Sequence, residues 1–186
     1  MQRWNGMRTW LAVASVVVLA AVATAVTVAA QAEEFEMVDV TMIACRIVSE
    51  EMEMDEGAVH VRQRVLEAVM LSDDPYFAGS GTVVSNADLF PEGGRAVLQG
   101  TLEIHPDAFE GYWSGSFAMV MDEAGQRGWT VSQGNGPDLR GLYVESVLRQ
   151  LPPTEVAEYA WACGGEAPVS GSVATGKVAR LRPAVP

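Results

Sequence analysis

The side chains best suited to chemistry lie close together in one segment, where His60, Arg62 and Arg64 occupy alternate positions. In an extended strand, residues two apart point to the same side, so this spacing predicts that the three share one face. If that face is internal, the guanidinium forks would bind an acidic group of a ligand. If it is external, the three side chains pair with carboxylates in solvent. The sequence leaves both interpretations open.

The sequence supports catalysis less well than binding. Arginine stays protonated, so His60 would have to act as general base, with Glu103 or Glu145 as partners from other strands. Ser114 lies inside a predicted strand and not at the strand-to-helix elbow of a serine hydrolase. The two histidines and two cysteines form no His-x-x-x-His or Cys-x-x-Cys pair, so neither a metal site nor a cofactor is predicted. We therefore favour a protein that is not an enzyme.

Charge narrows the range of partners. The chain has 186 residues, which favours one domain, and a formal net charge of −12. Such an acidic surface repels nucleic acid and anionic membranes, so neither is expected as a partner. The sequence does not predict an oligomeric state.

Residues 1 to 32 have the features of an export leader. Arg3 and Arg8 precede a long uncharged apolar run, and Ala30-Gln31-Ala32 fits the small-residue pattern of a cleavage site. We predict cleavage after Ala32 and a protein located outside the cell or on its surface. The run is also long enough to span a bilayer as an uncleaved anchor, and it would then be the only contact with the membrane.

The clearest structural pattern is a pair of alternating segments at residues 97–104 and 112–121. A period of two indicates half-buried strands. Gly100 and Gly115 each interrupt an apolar face, which marks either a bend in the sheet or a small residue that is merely tolerated there. Further strands are predicted at residues 35–45, 47–54, 58–71, 79–87, 129–133, 139–151 and 169–181.

Short strands separated by regular turns predict an all-β fold. We expect one domain at residues 33–182, a closed or nearly closed antiparallel β-barrel of about eight strands. An apolar helix precedes it in the leader, and residues 183–186 are expected to fray. Residues 154–162 fit one short helix, since Thr154 can begin it and Gly164 can end it. The same residues also alternate tolerably as a strand, and we favour the helix.

Cys45 and Cys163 are the only cysteines. They are predicted to form a disulfide, because the expected compartment is oxidising. The first and last strands of a closed barrel are neighbours, so the bond would join the two sides of the seam. The alternative is two separate buried thiols.

Several motifs in residues 59–144 resemble a known group. They are VHVRQRVLEAVMLSDDPYFAGSGT, QGTLEI, GYWSGSF and GNGPDLRGLYV. In this order they are similar to elements of small secreted bacterial proteins, whose pattern resembles the calycin-like barrels of allene oxide cyclase-like and dirigent-like proteins. The resemblance implies a barrel fold and no active site. Gln99 stands where that group has tryptophan, Gln133-Gly134 replaces its Gly-His-Gly, and the Cys163 segment is an addition.

Three functions fit these observations. The first is non-catalytic binding of a small apolar or amphipathic ligand, the second is a structural or surface-interaction module with a solid-packed barrel, and the third is an isomerase or cyclase suggested by the fold resemblance alone. For the first, the candidate ligand-binding residues are His60, Arg62, Arg64, Glu103, Trp113 and Tyr143.

Overall fold

A computed structural model describes residues 36–55, 57–122 and 125–180. They form eight strands: β1 (Glu36–Asp55), β2 (Ala58–Leu71), β3 (Gly79–Phe90), β4 (Arg95–Pro106), β5 (Tyr112–Asp122), β6 (Gly125–Asn135), β7 (Leu142–Gln150) and β8 (Ser170–Arg180). The predicted leader at residues 1 to 32 and the predicted frayed end at residues 183–186 lie outside the described residues. Within them, no helix is long and apolar enough to cross a membrane.

The strands close into one antiparallel barrel in which each pairs with the next along the chain. The seam between β1 and β8 is fully paired from Glu36 opposite Val178 to Ala44 opposite Ser170. The predicted all-β fold and eight-stranded barrel are therefore confirmed. Closure follows from the sequence because a sheet with one apolar face removes that face from water by curling around it.

One boundary prediction is wrong in β1. The segments 35–45 and 47–54 are not two strands but one long strand, which pairs with β2 from Thr41 to Asp55. Register shifts fall between Ala44 and Arg46, between Ile47 and Ser49, and between Ser49 and Glu51. Each shift is a bulge-like irregularity that breaks the alternation without ending the strand, so the periodicity falsely suggested a gap.

The β6 and β7 boundaries also differ from prediction. β6 begins at Gly125 and not at residue 129, because it pairs with β5 from the turn onward. β7 begins at Leu142 and not at residue 139. Leu139 is fully buried although it precedes the strand, since it lies in the turn that closes one end of the barrel.

The barrel has two unlike ends. At the capped end, loops at residues 72–78, 107–111 and 136–141 place Phe77 and Leu139 over the interior beside Ile104 and Trp113. Trp113 donates its indole N–H to the carbonyl oxygen of Tyr76 at 2.7 Å. The opposite end carries the β1–β2 hairpin, and we call it the hairpin end.

The ambiguous segment before β8 is helical, as favoured. It consists of α1 (Pro153–Ala157) and a 3₁₀ turn (Ala160–Cys163). Val156 of α1 packs with Leu151 on Ile43, which forms a small second core on the outside of β1. The predicted disulfide is confirmed: Cys45, directly after the last residue of β1 paired with β8, bonds to Cys163.

Glycines in the barrel wall allow close approach of neighbouring strands. A Cβ added at Gly100 would lie 2.8 Å from the Phe117 ring, so that ring occupies the space of the missing side chain. At Gly115 an added Cβ would collide with the Ser132 hydroxyl and lie 2.6 Å from the Val131 carbonyl oxygen. Both glycines are therefore required by packing and are not merely tolerated.

We expect Gly115→Ala to lower the free energy of unfolding by about 1–3 kcal/mol, the usual cost of overpacking. Urea denaturation would measure the change. Gly128→Ala is the matched control, because the nearest atoms to its added Cβ are 3.1 Å away and the strain is smaller. Equal losses at Gly115 and Gly128 would contradict this explanation.

Candidate functional site

A cavity of about 150 Å³ lies inside the barrel and opens at the hairpin end. We call it the mouth cavity. Its apolar wall includes Leu66, Val83, Phe117, Met119 and Leu148, and its polar groups come from Arg64, Ser85, Gln150, Ser170 and Ser172. A mainly apolar wall with a few convergent polar groups is typical of small-molecule sites.

Arg64 reaches the mouth cavity because of a bulge in β2. Val61 pairs with Ala87 and Arg64 pairs with Ser85, so Arg62 and Gln63 together stand opposite Asn86. Gln63 adopts φ of 50°, and its backbone N–H donates to the Asn86 Oδ1 at 2.9 Å. Because of this extra residue, the side chains that follow it on β2 point to the opposite face from the one that strict alternation predicts.

The expectation that His60, Arg62 and Arg64 share one face is therefore wrong. Side chains alternate between the two faces of β2 before the bulge and again after it, but not across it. Before the bulge, Val61 points into the interior, so its neighbours His60 and Arg62 point outward. Arg64 lines the mouth cavity, whereas His60 and Arg62 lie on the other side of the sheet. The inward interpretation therefore holds for Arg64, and the outward interpretation holds for His60 and Arg62.

Arg64 is held by Glu50 of β1. Its Nε donates to Glu50 Oε2 at 2.8 Å, and its Nη2 lies 2.8 Å from the same oxygen. The side chains are 28% and 25% exposed, so the pair is mostly desolvated. The guanidinium thus contributes fixed N–H donors to the mouth, while the pair as a whole carries no net charge.

Gln150 supplies an acceptor at the same cavity. Its side-chain Oε1 is buried and has no hydrogen-bond partner among the described residues. A buried polar atom without a partner costs about 1–3 kcal/mol. The mouth therefore presents an unused acceptor near fixed donors, above an apolar wall.

A second, deeper void of about 60 Å³ continues from the mouth cavity towards Trp113. The two share Met42, Phe117, Leu148 and Ser172 as lining residues. Trp113 is only 1% exposed and stacks on Phe77 with ring centroids 4.9 Å apart. Among the predicted site residues, Trp113 thus forms the floor of the interior, far along the barrel from its rim.

His60 and Arg62 form a separate cluster with Asp88 of β3. The Asp88 Oδ1 lies 2.7 Å from His60 Nδ1 and 2.6 Å from Arg62 Nη2. The hydrogen bonds from His60 and then Arg62 hold the pKa of the Asp88 carboxyl below its usual range. Both basic side chains therefore pair with a carboxylate on the outer surface, as the external interpretation predicts.

The Asp88 cluster predicts a specific pH dependence. A carboxyl whose pKa is lowered by folding stabilises the protein above its unfolded-state pKa, and the contribution disappears as the pH falls through the folded-state pKa. We expect the urea midpoint of the wild type to fall more steeply below about pH 4 than that of Asp88→Asn. Asp107→Asn, a change at an exposed loop residue, is the control. Parallel curves for wild type and Asp88→Asn would contradict the prediction.

Glu103 and Tyr143 lie on the outer surface in a shallow groove of about 650 Å³. Glu103 Oε1 is 3.1 Å from His105 Nε2, and the Tyr143 hydroxyl donates to Glu145 Oε1 at 3.2 Å. Desolvation, together with this bond, raises the pKa of Tyr143. The six predicted residues are therefore not brought together: they fall at the mouth, on the interior floor and on two outer surfaces.

Gln150 and Glu50, the two mouth residues that matter most to the site besides Arg64, were not predicted from the sequence. Gln150 follows Ser146 and Leu148 on the inward parity of β7, so strand alternation alone could have identified it. Glu50 could not be found in this way, because the register shifts beside it break the parity of β1.

The mouth offers binding groups more readily than catalytic ones. Its described lining residues include serines but no histidine or cysteine, and Glu50, the carboxylate at its edge, is engaged by Arg64. In residues 36–55, 57–122 and 125–180, no three His, Cys, Asp or Glu side chains are grouped so that they could hold a metal ion. Comparison with protein-family models, with curated proteins and with solved structures gives no match to this chain.

Proposed function

We propose that this protein binds a small amphipathic molecule in the mouth of its barrel and does not transform it. The observation that carries the proposal is the unpaired, buried Oε1 of Gln150, which lies at the same cavity as the Arg64–Glu50 pair. A ligand hydroxyl or amide N–H would give this oxygen its missing hydrogen bond. The neighbouring apolar wall would take the rest of the molecule out of water.

Cavity size limits the ligand. A cavity of about 150 Å³ is large enough for a molecule the size of benzene. Drug-sized ligands need roughly 300 Å³ or more. The ligand is therefore fragment-sized, close to benzene in volume. Its apolar end would point along the barrel towards Phe117 and the deeper void.

The charge at the mouth favours a neutral head group. Because Glu50 already neutralises Arg64, a carboxylate would have to compete with it in a protein whose net charge is −12. An alcohol or amide can accept from a free N–H of Arg64 and donate to Gln150 without disturbing the ion pair. This refines the acidic ligand group that the arginines alone suggested.

The expected location agrees with this function. The Cys45–Cys163 disulfide is compatible with an extracellular protein. We infer an exported carrier or receptor for a small molecule, related in fold to the allene oxide cyclase-like and dirigent-like barrels. The runner-up is a structural module, and the small deeper void of about 60 Å³ favours it, since most of the interior is filled.

Native mass spectrometry of the exported protein tests the proposal. We expect a non-covalent adduct on the wild type that is lost or reduced in Gln150→Leu, which removes the acceptor at similar volume. The matched control is Gln99→Leu, at an exposed position of β4, which should keep the adduct. Bare protein in every sample, with no uptake of added 1-hexanol, would favour the packed structural module.

A further inference from the structure

A continuous row of polar side chains crosses the outer groove from Thr82 to Tyr143 and continues beyond its edge to Glu67. Register pairs link Glu67 to Thr82, Thr82 to Glu103, Glu103 to Ser114, Ser114 to Gln133 and Gln133 to Tyr143. The row thus crosses six strands, from β2 to β7, without an apolar member. Strands are about 4.8 Å apart, so the row follows roughly 24 Å of curved surface.

Short side chains form the floor of the groove. Thr101 and Ser116 lie beside the row, and both are exposed on the groove side of β4 and β5. Longer side chains border it. On one side of the row lies Tyr112, two residues before Ser114 on β5. On the other side lies Trp129, four residues before Gln133 on β6, and it is 52% exposed. The result is a floor in which hydroxyl and amide side chains alternate with the short apolar side chains of Val84 and Val131, with aromatic rings at its margins.

The acidic groups on and beside the row have hydrogen-bond partners. Glu67 contacts Arg46 at 2.6 Å, Glu103 contacts His105, and Glu145 accepts from Tyr143. Of the three, only Glu67 pairs with an arginine, so the row combines hydroxyl, amide and phenol groups with remaining negative charge, which disfavours an anionic chain. A polyanion would meet the overall net charge of −12, and an apolar partner would strip water from many polar groups.

The geometry points to a binding site for a neutral oligosaccharide chain, lying across the strands along the row from Glu67 to Tyr143. A sugar chain presents hydroxyls at regular intervals, which match closely spaced donors and acceptors, often through bridging water. Its rings also have apolar faces that pack on exposed aromatic side chains such as Trp129. The site is separate from the mouth cavity and does not depend on the function proposed for it.

Titration of ¹⁵N-labelled protein with defined hexasaccharides tests this site. The probes are cellohexaose, laminarihexaose and chitohexaose as neutral chains, with hexagalacturonate as the anionic comparison. We expect at least one neutral chain to shift the Gln133 side-chain amide and the backbone amides of Thr101 and Ser114. Hexagalacturonate should leave these signals unchanged.

Two substitutions locate the contact. We expect Gln133→Ala and Tyr143→Ala each to weaken binding of the responding hexasaccharide by about fivefold to tenfold, the loss of one polar contact. Thr175→Ala, at an exposed position of β8, should leave it unchanged and so serves as the control. The inference is overturned if no neutral chain shifts the row, if the shifts map to the mouth cavity, or if only hexagalacturonate binds.

Discussion

Trp113→Ala is expected to lower the free energy of unfolding by about 3–5 kcal/mol. The side chain is 1% exposed, stacks on Phe77 and donates to the Tyr76 carbonyl oxygen. Its removal leaves a large cavity at the capped end and removes the hydrogen bond to that carbonyl. Urea denaturation followed by far-UV circular dichroism measures the loss.

Trp129→Ala is the matched control, because it removes the same side chain from the outer surface, where Trp129 is 52% exposed. We expect its effect to stay within about 0.5 kcal/mol, as for most surface substitutions. Comparable losses at the two positions would contradict the described packing of the capped end. The pair therefore tests whether Trp113 belongs to the core and not to an accessible binding surface.

Removal of the Cys45–Cys163 bond is expected to destabilise the protein by up to about 4–5 kcal/mol. The two residues are 118 positions apart, so the bond closes a long loop in the unfolded chain. Chain-entropy theory assigns the largest stabilisation to such loops, although native-state strain can reduce it. The measurement compares urea midpoints of the wild type with those of the Cys45→Ala/Cys163→Ala double variant.

Reduced wild type is the control for this comparison. If the bond acts by restricting the unfolded chain, the wild type in reductant should approach the stability of the double variant. The double variant itself should not respond to reductant. A wild-type midpoint that is the same with and without reductant would contradict the prediction.

The barrel could be predicted from the sequence because its strands alternate cleanly. In β4 and β5, inward Leu102, Ile104 and Trp113 follow the period of two, and the structure pairs them in the register this period requires. The disulfide could be predicted because Cys45 and Cys163 are the only cysteines and the expected compartment is oxidising. The alternation pattern could not reveal the positions at which the strands are irregular, above all the three register shifts in β1.

The candidate site could be predicted only in part, for the same physical reason. A single extra residue at Gln63 reverses which side chains of β2 point inward, and no residue type in His60-Val61-Arg62-Gln63-Arg64 marks it. Arg64 therefore lines the interior, as one of the two interpretations has it, whereas His60 and Arg62 lie on the outside. Its real partner, Glu50, comes from another bulged stretch, and only the pairing of β1 with β2 brings the two together.

The central claim, that the mouth cavity binds a fragment-sized amphipathic molecule, is tested most directly with protein labelled at its methionine methyl groups. Met42 and Met119 line the mouth cavity, whereas Met37 and Met54 are exposed and serve as internal controls. On titration with 1-hexanol, we predict saturable shifts of the Met42 and Met119 methyl signals, weaker shifts with hexanoate, and unchanged Met37 and Met54 signals. Unchanged Met42 and Met119 signals with both probes would contradict the claim and identify the barrel as a packed structural module.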